Sequence, residues 1–425
     1  MSVVTDPAAT PAPAPAPAST RGRRLRPAYW WLLGIVGFIA LLSLLERVTG
    51  ADDLTSAGTV GATLIATMPI MLAALGGLWA ERAGVVNIGL EGMMILGTFG
   101  AGFFAFTYGP WIGVAGSVAL GMVGGLVHAL ATVVFGVDHI ISGVAINIIA
   151  LGISGFLAEV WFSALPGGGP TQSPPLPAIP RVDLPFVAEP AKALADKGWF
   201  VLSDLASLVE VFTRNLSLLH VVGLLLLPAS FWLLWRTRFG LRLRSVGEAP
   251  AAAESLGVDV YRYKIVAVLV SGALAGLGGA MIAMVSSSGF QVGMSSGIGY
   301  IGLAAMIFGN WRPGGLLAGS GLFGYTETLG LRQGGTSVRA LLLLVSLLAI
   351  AFAIWQVRRT NFTTATVVFV IGAAIGAVYL SIDQVPGDFT RMTPYVITLL
   401  VLAFASQRLR MPAADGQVYR KGSAG

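Results

Sequence analysis

No cysteine occurs anywhere in the chain, which excludes disulfide bridges, thiolate metal sites and cysteine nucleophiles. Charge is also scarce: Asp, Glu, Lys and Arg make up 11% of the 425 residues, against about 25% in an average soluble protein. The three histidines, His128, His139 and His220, follow no metal-ligand spacing, and no nucleophile stands beside a base. The phosphate-binding pattern G-x-x-x-x-G-K-[ST] is missing as well. If the protein works against a gradient, it must couple to ions or borrow ATP hydrolysis from another chain.

What the sequence has instead is apolar length. Hydrophobic residues reach 55% and mean hydropathy is +0.81. Many windows run to roughly 20 apolar residues, enough to cross a hydrocarbon core of about 30 Å as a helix, and none alternates as barrel strands do. The fold class expected is an all-α polytopic membrane protein with roughly ten to twelve transmembrane helices. Residues 1–28 form a Pro/Ala-rich tail, expected to be disordered and cytoplasmic. Candidate spans follow at 29–45, 57–80, 85–108, 111–135, 140–162, 216–235, 264–286, a short 297–309, 314–331, 338–357, 363–381 and 394–406. The first follows basic residues as a signal peptide would, but it exceeds the usual h-region and lacks a small-x-small cleavage site, so it reads as a retained helix.

The net charge of +6 sits beside span ends rather than in a patch for a nucleic acid polymer. Arg21, Arg23, Arg24 and Arg26 precede the first span, and Arg236, Arg238, Arg242 and Arg244 open a polar loop at 237–263. Arg358 and Arg359 join two late spans, and Arg408, Arg410, Arg420 and Lys421 lie in the tail 408–425. Basic flanks mark the cytoplasmic side. Alternating crossings then put both termini and the 237–263 loop inside and the 164–215 loop outside. That outer segment, with Pro166 to Pro180 and an amphipathic stretch at 199–212, reads as a tether or as a docking surface for an external partner.

Glycine pairs at small-xxx-small spacing, Gly121/Gly125, Gly272/Gly276, Gly315/Gly319 and Gly372/Gly376, suit close helix crossings. PWIGVAGSVALG from Pro110 and PGGLLAGSGLFG from Pro313 share a frame, a possible internal duplication of the kind transporters use.

Polar side chains interrupt the oil at few places. In ERAGVVNIGLEGMMILG, residues 81–97, Asn87 and Glu91 are four apart and are expected on one helix face. A buried carboxylate is expensive and faces a cavity or a partner. The pair therefore either lines a polar route, supports a broken helix beside it, or forms a buried network that locks helices together. Asn147 lies mid-span, and Gln291 lies in the break SSSGFQVGMSSG. The 297–309 run is half a crossing and ends in Asn310-Trp311-Arg312-Pro313, as a half or re-entrant helix would.

The loop GLRLRSVGEAPAAAESLGVDVYR, residues 240–262, predicts a short helix with Pro250 in its first turn, Ala-rich to Leu256, and Gly257 left-handed at its end. So short a helix wants a surface. Its small face, with Ala252 and Ala253, suits a groove on a partner, and Glu248 and Glu254 form a polar rim; the alternative is a connector packed on its own helix ends.

This loop resembles the cytoplasmic coupling loop of bacterial ABC-importer permeases, in the superfamily of ribose-type sugar and branched-chain amino acid permeases. ERAGVVNIGLEGMMILG, DHIISGVAINIIALG and GYIGLAAMIFGNWRPGG resemble its nucleoside branch, and the terminal PAADGQVYRKG also looks family-like. The resemblance implies a non-enzymatic permease domain over 29–407 in the bacterial inner membrane. It further implies a second, homologous permease as heterodimer partner, two cytoplasmic ATPase subunits that hydrolyse ATP, and an extracytoplasmic substrate-binding lipoprotein, with no cofactor in this chain. The small-molecule solute would be a nucleoside, with a ribose-like sugar as the alternative. Coupling falls on Gly247, Glu248, Ala252, Ala253 and Gly257, which Pro250 and Glu254 join by their place in the loop. Asn87, Glu91, Asn147 and Gln291 are the candidate path residues. The chain departs from the family over 336–387, where extra spans stand. An ion-coupled carrier using Glu91 is a further alternative, but no second mid-span carboxylate accompanies it, since Glu159 and Glu327 sit near span ends.

Overall fold

The computed structural model describes residues 27–51, 53–332, 334–390, 392, 396 and 409–422. The expected tail with Arg21, Arg23, Arg24 and Arg26, the candidate span 394–406 and Arg408 lie outside the described residues. The fold is helical, and eight described helices are long and apolar enough to cross a membrane.

Local signals set most helix starts. The first helix, α1, is Pro27–Thr49. The Ser56 hydroxyl caps α2, Ala57–Arg82, which is followed by α3, Leu90–Tyr108. Pro110 opens α4, Pro110–Ala129, which runs on as a π turn through Leu130–Val134. The Asp138 carboxylate takes the amides of Ile140 and Ile141 and caps α5, His139–Phe162. Side-chain oxygens at these positions satisfy amides that a helix start leaves without partners.

Between α5 and the next span, α6 (Pro185–Ala195) and α7 (Leu202–Thr213) pack together. A two-residue antiparallel pairing of Arg181 with Ser217 and Val182 with Leu216 closes the base of this segment. Sequence expected only the second of these helices. The next span is α8, Leu218–Arg236. Two short helices follow, α9 (Arg238–Glu248) and α10 (Pro250–Ser255), and then α11, Val260–Met281, extended by a π turn to Ser286. The half helix α12, Ile298–Phe308, has 11 residues, about 16 Å at 1.5 Å per residue. It leads to α13, Pro313–Arg332. Both segments of the sequence echo thus open helices of 20 residues at their proline.

Helices α2, α3 and α11 form the centre, with 61%, 72% and 72% of their apolar windows buried. Met71, Leu75 and Leu78 of α2 meet Leu274, Leu277 and Met281 of α11 there, with Met306 of α12 and Phe323 of α13. All four glycine pairs sit at crossings. Gly121/Gly125 of α4 face Gly272/Gly276 of α11: a Cβ on Gly125 would lie 2.7 Å from the Val268 carbonyl and one on Gly121 2.7 Å from the Gly276 Cα. Gly315/Gly319 let α13 approach α12, and Gly372/Gly376 meet Ser346 across a pair of late helices. Those two helices, α14 (Gly334–Arg358) and α15 (Phe362–Ser381), pack chiefly on each other, and only 22% and 17% of their windows are buried. They occupy the place of the expected extra spans, at the periphery.

One local expectation fails. Asn87 and Glu91 do not share a helix face, because residues 83–89 are not helical. Gly84 turns the chain with φ +77°, and the Val85 amide returns to the Ala80 carbonyl. The α3 helix therefore starts only at Leu90, and Asn87 sits in the link before it.

Candidate functional site

Two clusters of polar groups stand out, one at the helix breaks and one on the face carrying α9 and α10. At the first, Glu91 occupies the first turn of α3 and is 6% exposed. Its carboxylate accepts from the Ser295 hydroxyl at 2.6 Å and from the amides of Gly297 and Gly299 at 2.9 and 2.7 Å. Those amides begin α12, where free N–H groups and the helix dipole favour a negative charge. A Cβ on Gly299 would lie 2.6 Å from the Glu91 Cα, so the two helix starts are pressed together.

Asn147, midway along α5, accepts from the Gly92 amide at 2.7 Å and donates to the Ile88 carbonyl at 3.0 Å and to the Tyr300 hydroxyl at 2.8 Å. The fully buried Asn87 donates to the Ser271 hydroxyl of α11 at 2.8 Å. The structure therefore gathers Asn87, Glu91 and Asn147 into one region that ties α3, α5, α11 and α12, with most of their polar atoms engaged. The Asn87 Oδ1 is a buried acceptor without a partner. Gln291 stands apart: it is exposed and bridges to Gln172 of the 164–215 segment, while the neighbouring Phe290 amide donates to the Ser173 hydroxyl at 2.9 Å.

Two histidines that look scattered in sequence meet at this link. The Val86 amide donates to His139 Nδ1 at 3.2 Å, and the His128 ring lies 2.9 Å from the Ser142 hydroxyl and 3.1 Å from the Val86 carbonyl. No spacing rule signals this, because the contacts join α4 and α5 to a turn about 40 residues or more upstream. Among the described residues no group of three His, Asp or Glu is placed to hold a metal ion.

The second cluster divides the candidate coupling residues in two. Gly247 and Ala253 face inward: a Cβ on Gly247 would lie 3.0 Å from the Gly84 nitrogen, and Ala253 is buried with Val246 and Val260. Pro250 is half-buried at the start of α10. Ala252 and Gly257 face outward, and next to them Leu256 is 84% exposed. Gly257 adopts φ +79°, the left-handed conformation that ends a helix cheaply only with glycine. Sequence reasoning missed α9, although Gly240, Leu243, Val246 and Gly247 recur on its buried side at helical spacing.

Sequence reasoning also missed how segment 409–422 lies across this face. The Ala414 amide donates to the Gly247 carbonyl at 2.9 Å, the Ala413 amide to Glu248 at 3.2 Å, and the Tyr419 hydroxyl to Glu254. The Arg82 guanidinium approaches Glu248 at 3.9 Å and donates to the Trp311 carbonyl at 2.6 Å. The Trp311 indole donates to Glu81 at 2.6 Å. Asp415, from the segment, meets Glu81, with the Lys264 and Arg82 charges nearby. Burial pushes the Asp415 carboxyl up to about 7, against the opposing pull of Glu81, Lys264, the Gly416 amide and Arg82.

A half helix, an interrupted span and a polar helix-break region set among apolar spans suit a transport subunit. Residues 59–354 match the family described as "Branched-chain amino acid transport system / permease component". The chain belongs to this permease family. The permease is accordingly a multi-pass membrane protein. It is similar to the guanosine ABC transporter permease protein NupQ of Bacillus subtilis, at 32% identity over 85% of this chain and 96% of that protein. It is equally similar to the nucleoside ABC transporter permease protein NupC of Lactococcus lactis, at 32% identity over 84% and 95%. A putative glucose ABC transporter permease, TsgC13 of Haloferax volcanii, shares 33% identity over 67% of the permease and 80% of its own length. No solved structure matches. Permease subunits of this type operate with ATPase and substrate-binding partners.

Proposed function

We propose that the permease is the membrane-spanning subunit of an ATP-binding-cassette importer for nucleosides in the bacterial inner membrane. The observation that carries this reading is the likeness to guanosine and nucleoside permeases over nearly their whole lengths. It holds no cofactor of its own. Cytoplasmic ATPase subunits hydrolyse the ATP, a second homologous permease completes a heterodimer, and an external lipoprotein delivers the solute to the outer segment that Gln291 touches.

In this scheme α10 is the handle. Its outward face, Ala252, Leu256 and Gly257, enters a groove on an ATPase subunit, while Gly247 and Ala253 fasten it to the spans. Both termini and α9–α10 face the cytoplasm, as the arginines of α9 favour. Asn87, Glu91 and Asn147 support the interrupted helices beside the solute route rather than forming an open polar wall. Three donors already engage the Glu91 carboxylate, which favours a structural role at the start of α12 over exposure to a solute or ion route.

The haloarchaeal likeness keeps a sugar as second reading. Proteoliposomes holding both permeases, the ATPases and the binding lipoprotein should take up labelled guanosine only with ATP inside the nucleotide-facing compartment. Displacement by glucose or ribose but not by other nucleosides would shift the assignment to sugars. Uptake by this chain alone, driven by a proton gradient, would make it a carrier.

A further inference from the structure

We infer that segment 409–422 is a transmission strap: it ties the α10 handle to the 83–89 link and so carries the handle's motion into the helix-break region. This rests on the importer reading given above. The tie can be followed bond by bond. At one end the Tyr419 hydroxyl donates to Glu254 of α10, and the Tyr261 hydroxyl of α11 reaches the Tyr419 carbonyl at 3.5 Å. In the middle, the Ala413 and Ala414 amides bond Glu248 and the Gly247 carbonyl, the residues that join α9 to α10. At the other end the Arg410 amide donates to Asn310 at 2.7 Å, in the turn between α12 and α13.

The strap also touches the link itself. The Ala414 carbonyl lies where a Cβ on Gly84 would come within 3.1 Å, and Gly416 lies against Val86 in the same way at 3.3 Å. Val86 is the residue whose amide and carbonyl engage His139 and His128, and Asn87 follows it. Lys264 closes the circuit by donating to the Gly84 carbonyl at 3.1 Å. Among the described residues, the hydrogen bond nearest α10 that ties back to α9 is made by its N-cap, from the Ala249 amide to the Ser245 carbonyl at 2.9 Å. A helix of six residues has little rigidity of its own. Displacement of α10 by a partner therefore reaches the 83–89 link through two routes, the covalent chain through Gly247 and the strap. Energetic coupling between separated sites is carried by such chains of packed and hydrogen-bonded groups. The strap is a positioning element: nothing in it need touch solute or nucleotide.

The test uses the assembled importer in proteoliposomes and reads solute molecules taken up per ATP hydrolysed. Tyr419→Phe removes the hydroxyl that donates to Glu254, and a Glu254→Cys/Tyr419→Cys pair removes both ends of that bond. Because the chain has no native cysteine, the pair can be bridged by a short bis-maleimide without other attachment on this subunit. The expected result is a fall in the uptake-to-hydrolysis ratio of about 3- to 30-fold in both variants, with ATP hydrolysis retained in Tyr419→Phe, and recovery to within about twofold once the pair is bridged. The same purified complex is compared before and after bridging, so a folding defect cannot produce the recovery; should the double variant fail to assemble, Tyr419→Phe carries the test. A wild-type ratio in Tyr419→Phe, or a bridged pair confirmed by mass spectrometry that stays uncoupled, overturns the strap. Absence of ATP-driven uptake by the wild-type importer overturns the importer reading itself and the strap with it.

Discussion

Glu91 accepts a hydrogen bond from the Gly299 amide at 2.7 Å across 208 positions of sequence. An acid at the start of one membrane helix thus caps another, and the charge that hydropathy marks as costly is held by a dipole and three donors.

Removing that acceptor leaves two backbone amides and a hydroxyl buried without partners. Glu91→Ala is expected to destabilise the purified permease by about 3 to 5 kcal/mol, and Glu91→Gln by roughly 1 to 2 kcal/mol, since the amide oxygen still accepts. Thermal unfolding in detergent, followed by intrinsic fluorescence, checks the order. An unaltered midpoint for the alanine variant would show that Glu91 does not hold α12.

The α4–α11 crossing leaves no room for a methyl group. Gly125→Ala, whose Cβ would lie 2.7 Å from the Val268 carbonyl, is expected to cost about 1 to 3 kcal/mol by overpacking. Gly152→Ala on α5, where a Cβ meets nothing within 4 Å, should be neutral or slightly stabilising because alanine is the better helix former. Melting curves of the two variants side by side decide the matter, and equal effects would contradict the described crossing.

Leu256 is an apolar side chain 84% exposed on a polar face. Leu256→Ala should leave the isolated permease as stable as the wild type yet weaken ATPase association roughly 10-fold, the scale of burying such a side chain at an interface. Co-purification and titration of the ATPase subunits measure this. Undiminished affinity would mean that α10 is not the docking helix.

Docking of segment 409–422 should weaken as pH rises. Asp415 faces Glu81 of α2, with Arg82 and with Lys264 of α11 nearby, and its carboxyl stands at about 7 when docked, against about 3.9 in a free chain. The docked state therefore binds the extra proton between those values. The stabilisation is fully present below about pH 4 and is lost as pH climbs through about 7. Hydrogen exchange at the Ala413 and Ala414 amides, corrected for intrinsic rates, should show less protection at pH 8 than at pH 5.5, with Asp415→Asn flattening the difference. Greater protection at pH 8 would reverse the sign and reject the argument.

The parts legible in sequence were those set by local chemistry. Apolar length marked the spans, Pro110 and Pro250 marked helix starts, Gly257 marked a left-handed end, and the four glycine pairs marked three crossings, α4 on α11, α12 on α13 and α14 on α15. Asn87 was misplaced because an apolar run with helical propensity hides a turn that Gly84 permits and that contacts from distant residues, among them His128, His139, Asn147 and Lys264, hold. Gln291 was grouped with the break residues by its place in a break, whereas pairing with Gln172 draws it to the 164–215 segment. Helix α9 went unseen because its arginines mask the buried periodicity of Gly240, Leu243 and Val246. Nothing local in 409–422 announces its partners, since the bonds that dock it, from Arg410, Ala413, Ala414 and Tyr419, all go to residues 100 or more positions away.

Helices α14 and α15 fasten mainly to each other, through Gly372 and Gly376 against Ser346, and lean on the rest by a thin seam with α1 and α13. A hairpin that carries its own lock can take up substitutions on its outward side without repacking α2, α3 and α11.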